Sequence, residues 1–217
     1  MSEPVKRDYR SGLRAAQAAD TRRLIVSAAA HLFVEDGYGA TTIDAVAEAA
    51  GVSRKTVFTA VGGKVDLLKT ALDWAVEGDD EPIAMADRVA LRELLELDEP
   101  VALLTAWANV MVQIDTRVAD LFLALEVAAD GDDAAGTLLD ESRRQRLAGA
   151  RTVVKRLVAL DALTDAVSRA DAVDLAWLAT DPVLFDRFVR IRGWSVGKFE
   201  SWLARTLTGQ LLKPSRA

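Results

Sequence analysis

The sequence predicts an all-α fold, and three observations carry that prediction. Hydrophobic residues make up 51% of the 217 residues, yet only 6% are aromatic, and the chain has 5 prolines. Ala, Leu and Arg, which favour helices, are abundant. Apolar side chains recur at three- and four-residue spacings, and no stretch alternates convincingly between apolar and polar residues as a strand would. At this length the helices form one large or two small domains.

The first helix is predicted from its apolar face. Five apolar residues recur three or four positions apart and therefore lie on one side of a helix: Ile25, Ala28, Ala29, Leu32 and Phe33. Gly37 then marks the end of this helix, because glycine commonly follows the last helical turn.

Residues 41–64 have the spacing of a helix-turn-helix. Thr41 or Thr42 can cap a second helix, because a threonine side chain accepts a hydrogen bond from a free backbone N–H. Gly51 supplies the left-handed backbone that ends this helix. Ser53 can then cap a third helix. The buried stripe of the second helix comprises Ile43, Val46, Ala47 and Ala50.

The third helix presents a polar and basic side. Val57 and Val61 face inward at helical spacing, whereas Arg54, Lys55 and Thr59 face outward. A helix that follows such a turn and begins with basic residues is suited to enter a DNA groove. The pattern therefore predicts a DNA-binding unit. The alternative is a purely structural helix bundle, because this spacing also arises by chance.

Charge is unevenly distributed along the chain. The net charge of −6 by itself disfavours a nucleic-acid partner. Residues 1–75 nevertheless hold 10 basic and 9 acidic residues, whereas residues 76–217 hold 17 and 24. Six basic residues precede or open the first helix and suit an arm that contacts phosphates: Lys6, Arg7, Arg10, Arg14, Arg22 and Arg23. The alternative for this arm is a solvated basic tail.

A fourth helix, from Lys64 to Val76, links the helix-turn-helix to the rest of the chain. The segment GDDEP at 78–82 follows it and forms a natural boundary. We therefore expect two domains. Residues 1–76 form an N-terminal arm and a helix-turn-helix domain, and residues 77–217 form a helical domain for ligand binding and dimerisation.

Five or six further helices are expected after this boundary. Glu99-Pro100 and Asp181-Pro182 are predicted helix starts, since proline fits the first turn and the preceding acid accepts from free backbone donors. The pattern over 138–158 is expected to form the longest helix. Gly193 closes the helix that begins at Pro182, and Ser195 caps the last one.

The residue inventory excludes several kinds of catalytic and metal site. The chain has no cysteine and a single histidine, His31, so it can form neither Cys-based nor His-rich metal sites. Gly193–Gly197 satisfies the G-x-S-x-G pattern of a nucleophile elbow, but a predicted helix precedes it where the elbow needs a strand. No glycine-rich nucleotide loop occurs. We expect no enzymatic activity, no metal and no cofactor.

Nothing in the sequence indicates a membrane. No apolar run approaches the roughly 20 residues that a spanning helix needs. The N-terminus MSEPVKRDYR lacks the apolar segment of a secretory signal. We therefore expect a cytoplasmic protein.

Residues 21–76 resemble the DNA-binding domain of the TetR family of bacterial transcriptional repressors. The resemblance rests on the run AAAHLFVEDGYGATTIDAVAEAAGVSRKTVF and on Lys64 followed by Asp66, Leu67 and Leu68. It implies a homodimer of all-helical chains, each with an N-terminal three-helix DNA-binding domain and a larger domain that binds a small inducer and dimerises. The run DPVLFDRFVRIRGWSVGKFESWLARTL also resembles the end of a regulatory domain common among actinobacterial members.

The sequence departs from the family pattern where the family contacts DNA. The family usually has Tyr, a variable residue, Tyr or His, and then Phe, whereas this chain has Phe58, Thr59, Ala60 and Val61. Gly62-Gly63 replaces the more usual Pro-Ser or Lys-Asn. Losing two phosphate contacts of roughly 0.5–1.5 kcal/mol each weakens binding without abolishing it. The candidates for DNA contact are Thr42, Ser53, Arg54, Lys55, Thr56, Thr59 and Lys64.

A ligand pocket is expected among the middle helices of the second domain, where the resemblance places it. Trp107 and Met111 lie in one predicted helix, and Phe122 and Trp177 lie in others. These residues suit an apolar cavity for a small-molecule effector. The alternative for each of them is core packing.

The expected dimer face is a four-helix arrangement built from two helices of each chain. We expect the helices over 138–160 and 196–211 to form it, with Trp202 and Leu203 as candidate contacts. For Trp202, a place in the intramolecular core fits the sequence equally well.

The sequence thus predicts a ligand-responsive regulator, a repressor, that binds a palindromic double-stranded DNA operator as a homodimer. A ligand that prefers one arrangement of the second domain changes the separation of the two recognition helices and so the operator affinity. The alternative is a helical ligand-binding or protein-interaction module of the same fold with weakened or lost DNA binding.

Overall fold

The computed structural model describes residues 5–78, 80 and 89–214. The helices in chain order are α1 (Val5–Glu35), α2 (Gly37–Ala40), α3 (Ile43–Ala49), α4 (Arg54–Ala60), α5 (Lys64–Glu77), α6 (Val89–Leu95), α7 (Pro100–Ala129), α8 (Asp133–Ala159), α9 (Arg169–Ala179), α10 (Pro182–Phe185) and α11 (Val196–Leu211). A π-helical segment, Asp186–Ile191, continues α10.

The described residues form no β-sheet. Their only extended pairing is an isolated antiparallel bridge between Leu163 and Leu212. Within the same residues, no helix is both long enough and apolar enough to cross a lipid bilayer. The predicted all-α class is confirmed.

The N-terminal helices pack around one apolar core, as their periodicity predicts. The predicted face of α1 is buried at Ile25, Ala29 and Phe33, and α5 contributes Leu67 and Leu68 to the same core. Full burial of such side chains stabilises a fold by roughly 1.5–3 kcal/mol each. Helix α2, a single turn between α1 and α3, is an element that the sequence did not predict.

Helix α1 is longer than its apolar pattern predicts. It begins at Val5 and runs for 31 residues, so the basic residues expected in an arm from residue 5 onward lie in the helix itself. The side chains of residues 5–13 lie outside the described part of the chain. Farther along, Arg22 donates a hydrogen bond to the C-terminal turn of α4, and Arg23 pairs with Asp80. The expected arm is therefore part of α1, and Arg22 and Arg23 make contacts within the chain. Contact of the six basic residues with phosphates stays a prediction.

Helices α7 and α8 each contribute residues to two apolar cores. One core combines the N-terminal helices with the second half of α7 and the start of α8. The other combines the first half of α7 and the end of α8 with α9 and α11. The expected boundary at 78–82 falls largely outside the described residues. The division into 1–76 and 77–217 therefore stays a prediction.

Three predicted helix starts in the C-terminal part are confirmed. The Glu99 carboxylate accepts hydrogen bonds from backbone N–H groups in the first turn of α7. Asp181 does the same for α10, and the Ser195 hydroxyl does so for α11. Each side chain satisfies donors that the helix leaves free at its N-terminus.

Two expectations about the C-terminal part are wrong. The helix over 138–158 belongs to α8, whose 27 residues are fewer than the 30 of α7 and the 31 of α1. Leu203, expected at the dimer face, is fully buried within its own chain. Trp202 is half-buried and packs against the rings of Phe188 and Phe199. The apolar face of α11 therefore serves the intramolecular core.

Candidate nucleic-acid interface and interior polar cluster

The turn between α3 and α4 is fixed by local hydrogen bonds. The Thr42 hydroxyl accepts from the Ala45 N–H at 3.1 Å, and the Ser53 hydroxyl accepts from the Thr56 N–H at 3.1 Å. Gly51 has φ +66°, a left-handed conformation that favours glycine. Both predicted caps and the predicted turn residue are confirmed. They set the angle at which α4 leaves α3.

Helix α4 buries one side and exposes the other. Val57 is fully buried, whereas Arg54, Lys55 and Thr59 are exposed, as predicted. Phe58 is also 47% exposed, so the surface of α4 includes an aromatic ring that the sequence pattern did not assign. An exposed helix with this mixture of groups has the dimensions and the polarity to enter a major groove.

Arg54 is held by the neighbouring helix. Its Nη1 lies 2.6 Å from Oδ2 of Asp44, and its guanidinium lies 5.7 Å from the centre of the Phe58 ring. Because both charged side chains are mostly exposed, this pair contributes little to stability. Its effect is to hold the guanidinium beside the N-terminus of α4.

Lys64 lies over the ring of Tyr38. Its Nζ is 4.2 Å from the ring centre and donates a hydrogen bond to the Gly39 carbonyl at 3.3 Å. Burial lowers the pKa of Lys64, and the carboxylate of Asp132 opposes that effect. The ammonium group of Lys64, which was predicted to contact a phosphate, is therefore already partly engaged by α2 of the same chain.

The loop before α5 requires a glycine at position 62. Gly62 has φ +128°, and a Cβ atom there would overlap the carboxylate of Asp66. That carboxylate accepts a hydrogen bond from the Gly63 N–H at 2.7 Å and so caps α5. The glycine at position 62, which departs from the family pattern, therefore has a structural reason in this chain.

Among the described residues, side-chain hydrogen bonds join the N-terminal helices to α7 and α8 in addition to the shared apolar core. The Tyr38 hydroxyl donates to Oδ2 of Asp132 at 2.7 Å. Arg117, on α7, donates to the carbonyls of Ala75 at 2.7 Å and Val76 at 3.1 Å, at the end of α5. Burial, and then the bond to Asp132, raise the pKa of Tyr38, and the same bond is the main cause of a lowered pKa at Asp132. These bonds connect α2 to the start of α8 and the end of α5 to α7.

The four residues predicted to line a ligand pocket are divided between the two cores. Trp107 is buried in the core of α9 and α11, and Phe122 is buried in the core of the N-terminal helices. Met111 and Trp177 are partly buried and pack against the core of α9 and α11. A groove of about 600 Å³ between α8 and α9 includes Arg151 and none of the four.

Phe122 and Trp177 meet at Arg146, a residue that sequence reasoning missed. The Arg146 guanidinium lies 5.6 Å from the centre of the Phe122 ring and 5.2 Å from that of the Trp177 ring. Its Nη2 donates to Oδ2 of Asp181 at 2.7 Å. Asp115, which is 3% exposed, lies seven residues before Phe122 on the same stripe of α7. These five residues are termed the interior polar cluster.

The electrostatics of the interior polar cluster are dominated by burial. Burial is the main cause of the raised pKa of Asp115, about 8; the charge of Arg146 opposes the shift, and the charge of Asp181 adds to it. Several buried polar atoms have no hydrogen-bond partner among the described residues: Asp115 Oδ2, Arg146 Nε and Nη1, and Trp177 Nε1. The available sequence signal is an aspartate on the otherwise apolar stripe of α7.

The helix-turn-helix segment matches a known family and known relatives. Residues 25–71 match the sequence model of the bacterial regulatory proteins, tetR family. The HTH-type transcriptional regulator SrpR of Pseudomonas putida is 40% identical over 58 residues, which are 27% of this chain and 27% of that protein. The HTH-type transcriptional regulator TtgW, also of Pseudomonas putida, is likewise 40% identical over 58 residues, 27% of this chain and 43% of that protein. The matched segment therefore spans less than half of either relative.

Solved structures share the fold across most of the chain. NalD of Pseudomonas aeruginosa, the secondary repressor of the MexAB-OprM multidrug efflux pump, has a TM-score of 0.67 and 19% identity, covering 91% of this chain and 99% of that one. SmeT, the repressor of the Stenotrophomonas maltophilia efflux pump SmeDEF, has a TM-score of 0.64 and 15% identity, covering 89% and 91%. At these identities the likeness establishes a common fold.

Proposed function

We propose that this chain, whose N-terminal domain belongs to the tetR family of bacterial regulatory proteins, is a ligand-responsive repressor that binds a palindromic operator as a homodimer. The observation that carries the proposal is the exposed first turn of α4. There Arg54 and Lys55 project from a helix that is capped by Ser53 and anchored by the fully buried Val57. Basic groups on a rigidly held helix after a tight turn are what recognition of DNA in the major groove requires.

The remaining predicted contacts are arranged for phosphates. Thr42 and Ser53 occupy the N-caps of α3 and α4, where backbone N–H groups and the helix dipole favour an anion. Thr56 and Thr59 add hydroxyls on α4, and Lys64 adds a cation at the start of α5. Phosphate contacts of this kind position the helix, whereas Arg54 and Lys55 are placed to reach base edges.

A homodimer would present two copies of α4 to successive turns of DNA. The centres of the two helices must lie roughly 34–36 Å apart to match two major grooves. We assign the dimer face to α8 and α11 through residues other than Leu203, because Leu203 is buried in its own chain. In this proposal the protein acts in the cytoplasm, where its operator DNA would lie, and residues 77–217 serve as the ligand-binding and dimerisation domain.

Ligand response is supported by the way the N-terminal helices are attached. Tyr38 bonds to Asp132 at the start of α8, and Arg117 bonds from α7 to the end of α5. A ligand that binds one arrangement of α7 and α8 more tightly than another shifts the population of α4 orientations. SmeT, a neighbour in fold, has been solved in complex with triclosan. A regulator of Saccharomonospora viridis with the same fold has been solved with choline.

Gel-shift titration against the DNA upstream of the chain's own coding region tests the proposal. The wild-type protein is expected to bind one fragment as a dimer, and Arg54→Ala/Lys55→Ala is expected to weaken binding at least tenfold. Arg92→Ala/Arg192→Ala removes the same charge from exposed positions outside α4, α8 and α11 and serves as the matched control. It is expected to leave affinity within about twofold, because general charge loss alone does not remove the contacts of α4.

The second candidate function is a module of the same fold without operator binding. It is favoured by the engagement of two cations within the chain, since Arg54 pairs with Asp44 and Lys64 lies over Tyr38. Ala60 and Val61 also lack the hydroxyl and the aromatic or imidazole group that the family usually places there. Equal binding by the wild type and the Arg54→Ala/Lys55→Ala variant, or binding by neither, would establish this alternative.

A further inference from the structure

The interior polar cluster lies at the junction of the two cores. Phe122 belongs to the core of the N-terminal helices, and Trp177 packs against the core of α9 and α11. The Arg146 guanidinium contacts both rings, at 5.6 Å and 5.2 Å from their centres. One side chain of α8 therefore spans the boundary between the part that carries α4 and the rest of the molecule.

The hydrogen-bonding capacity of this cluster is only partly used. Arg146 Nη2 is bonded to Asp181, but Nε and Nη1 are buried and have no partner among the described residues. Trp177 Nε1 is also buried and has no hydrogen-bond partner among the described residues. Buried N–H groups are normally paired, because leaving one unpaired forfeits its hydration without compensation. The cluster therefore holds N–H donors in excess of acceptors.

At neutral pH the Asp115 carboxyl does not supply the missing hydrogen-bond acceptor. Its carboxyl is 3% exposed, and Oδ2 has no hydrogen-bond partner within the described residues. Burial is the main cause of its raised pKa, about 8; the charge of Arg146 opposes the shift, and the charge of Asp181 adds to it. At pH 7 most molecules therefore carry a protonated, neutral carboxyl, which is itself a donor. Asp181 is then the carboxylate bonded to Arg146, and the carboxyl of Glu126 also interacts with the charge of Arg146.

We propose that the interior polar cluster binds the effector, and that the effector is a flat aromatic compound carrying oxygen acceptors such as a carboxylate or a phenol oxygen. The proposal rests on the proposed function, in which the chain responds to a ligand. The acceptor oxygens pair with Arg146 Nε or Nη1 and with Trp177 Nε1. The aromatic body contacts Phe122 and Trp177, whose rings already flank the guanidinium.

The same geometry disfavours a cationic ligand. The faces of Phe122 and Trp177 already carry the positive charge of Arg146, so a second cation there would be repelled. A cation would also leave the N–H groups of Arg146 and Trp177 unpaired. An aromatic compound with oxygen acceptors adds no positive charge beside Arg146. Its oxygens can also pair with the N–H groups of Arg146 and Trp177.

The location of the cluster links such binding to DNA. Asp115 is two residues from Arg117, which bonds to the end of α5, and Arg146 lies on the helix whose first turn is capped by Asp132. Occupancy of the cluster therefore acts on the two helices that hold the N-terminal domain. This gives the population shift of the proposed function a defined point of action.

Calorimetric titration of the full-length protein with 2-naphthoate, and with the size-matched 2-naphthyltrimethylammonium cation, tests the proposal. The carboxylate is expected to bind at least tenfold more tightly than the cation. Trp177→Phe keeps an aromatic ring but removes the N–H, and is expected to weaken 2-naphthoate binding about three- to tenfold, the equivalent of one hydrogen bond. Arg146→Gln is expected to weaken it more than tenfold.

Trp194→Phe is the matched control, because Trp194 is a partly buried tryptophan that packs against Phe188 outside the cluster. It is expected to leave 2-naphthoate affinity within about twofold. Tighter binding of the cation, no binding of 2-naphthoate, or equal losses in Trp177→Phe and Trp194→Phe would overturn the proposal. Because Trp177→Phe preserves the ring, it keeps the test valid even if Arg146→Gln fails to fold.

A gel shift with the same protein separates this inference from the proposed function. Intact operator binding without 2-naphthoate binding overturns the ligand site and leaves the DNA-binding function standing. Binding of 2-naphthoate with the expected losses in the variants, but without binding to any DNA fragment, supports the ligand site and overturns the operator function.

Discussion

The hydroxyl of Tyr38 donates a hydrogen bond to the carboxylate of Asp132, 2.7 Å away, and so ties the helix-turn-helix domain to the start of α8. The same carboxylate caps α8 by accepting from the N–H groups of Ala134 and Ala135. The Nζ of Lys64 lies 4.2 Å from the centre of the Tyr38 ring. One carboxylate thus fixes both the beginning of α8 and its position against α2.

Tyr38→Phe is expected to lower Tm by about 2–4 °C, because it removes one side-chain hydrogen bond from a chain of this size while keeping the buried ring. In a repressor, it also loosens the link between α8 and the DNA-binding domain, so effector is expected to change operator affinity less than in the wild type. Thermal melting and gel shifts with and without effector measure the two effects. Asp133→Asn, an exposed neighbour of Asp132, is the control. An unchanged response to effector in Tyr38→Phe would remove this contact from the coupling.

Asp44→Asn is expected to raise affinity for DNA by about two- to fivefold at low salt, because it releases Arg54 and removes a negative charge beside α4. The gain is expected to shrink as salt increases, since exposed charges are screened. Fluorescence anisotropy with labelled operator at several salt concentrations provides the measurement. Asp36→Asn, at another exposed position of the same domain, is expected to have a smaller effect. Weaker binding by Asp44→Asn would show instead that Asp44 positions Arg54 for contact.

Gly62→Ala is expected to destabilise the protein by about 1–3 kcal/mol, because φ +128° is strained for alanine and its Cβ would meet the Asp66 carboxylate. Gly63→Ala tests the neighbouring position, where φ is −81° and the nearest Asp66 oxygen is 3.6 Å from the added carbon. It is expected to cost much less. Urea unfolding of the two variants gives the comparison, and equal losses would contradict the assignment of strain to Gly62.

Asp115→Asn is expected to flatten the dependence of stability on pH. A carboxyl whose pKa is raised in the folded state retains a proton there that the unfolded chain has lost. The wild type therefore loses stability as pH rises from about 4 to about 8, by an amount on the order of 5 kcal/mol relative to the variant. Arg146 and Asp181 face this carboxyl and set the size of the effect. Denaturant unfolding at pH 5 and pH 8 measures it, with the exposed Asp174→Asn as control. Parallel pH profiles for wild type and Asp115→Asn would contradict a buried, neutral Asp115.

Helix ends were largely predictable because they depend on neighbours in the chain. Ser53, Glu99, Asp181 and Ser195 all cap the helices that they were expected to cap, since capping needs only a side-chain oxygen and the next turn of backbone. The start of α1 at Val5 was missed because the apolar stripe used to predict this helix begins only at Ile25. Apolar periodicity locates the buried part of a helix and does not fix where the helix begins.

The interior polar cluster was not predictable from local pattern. Asp115 and Arg146 are 31 positions apart, and their proximity depends on how α7 and α8 cross. Leu203 shows the same limit: its spacing fits a dimer face and an internal core equally well, and only the packing of α11 against α7 distinguishes them. Phe122 and Trp177 were named for their aromatic character, and the residue that joins them, Arg146, carried no signal of its own.

Helix α7 has a practical consequence for engineering. The apolar surface of α1 and α5 is closed by Val118, Phe122 and Leu125 from the second half of α7. A fragment that stops after α5 would expose this surface to water, and a fusion to a foreign effector domain would leave it against an unmatched neighbour. A working chimera of this protein therefore has to transplant the matching segment of α7 together with the DNA-binding helices.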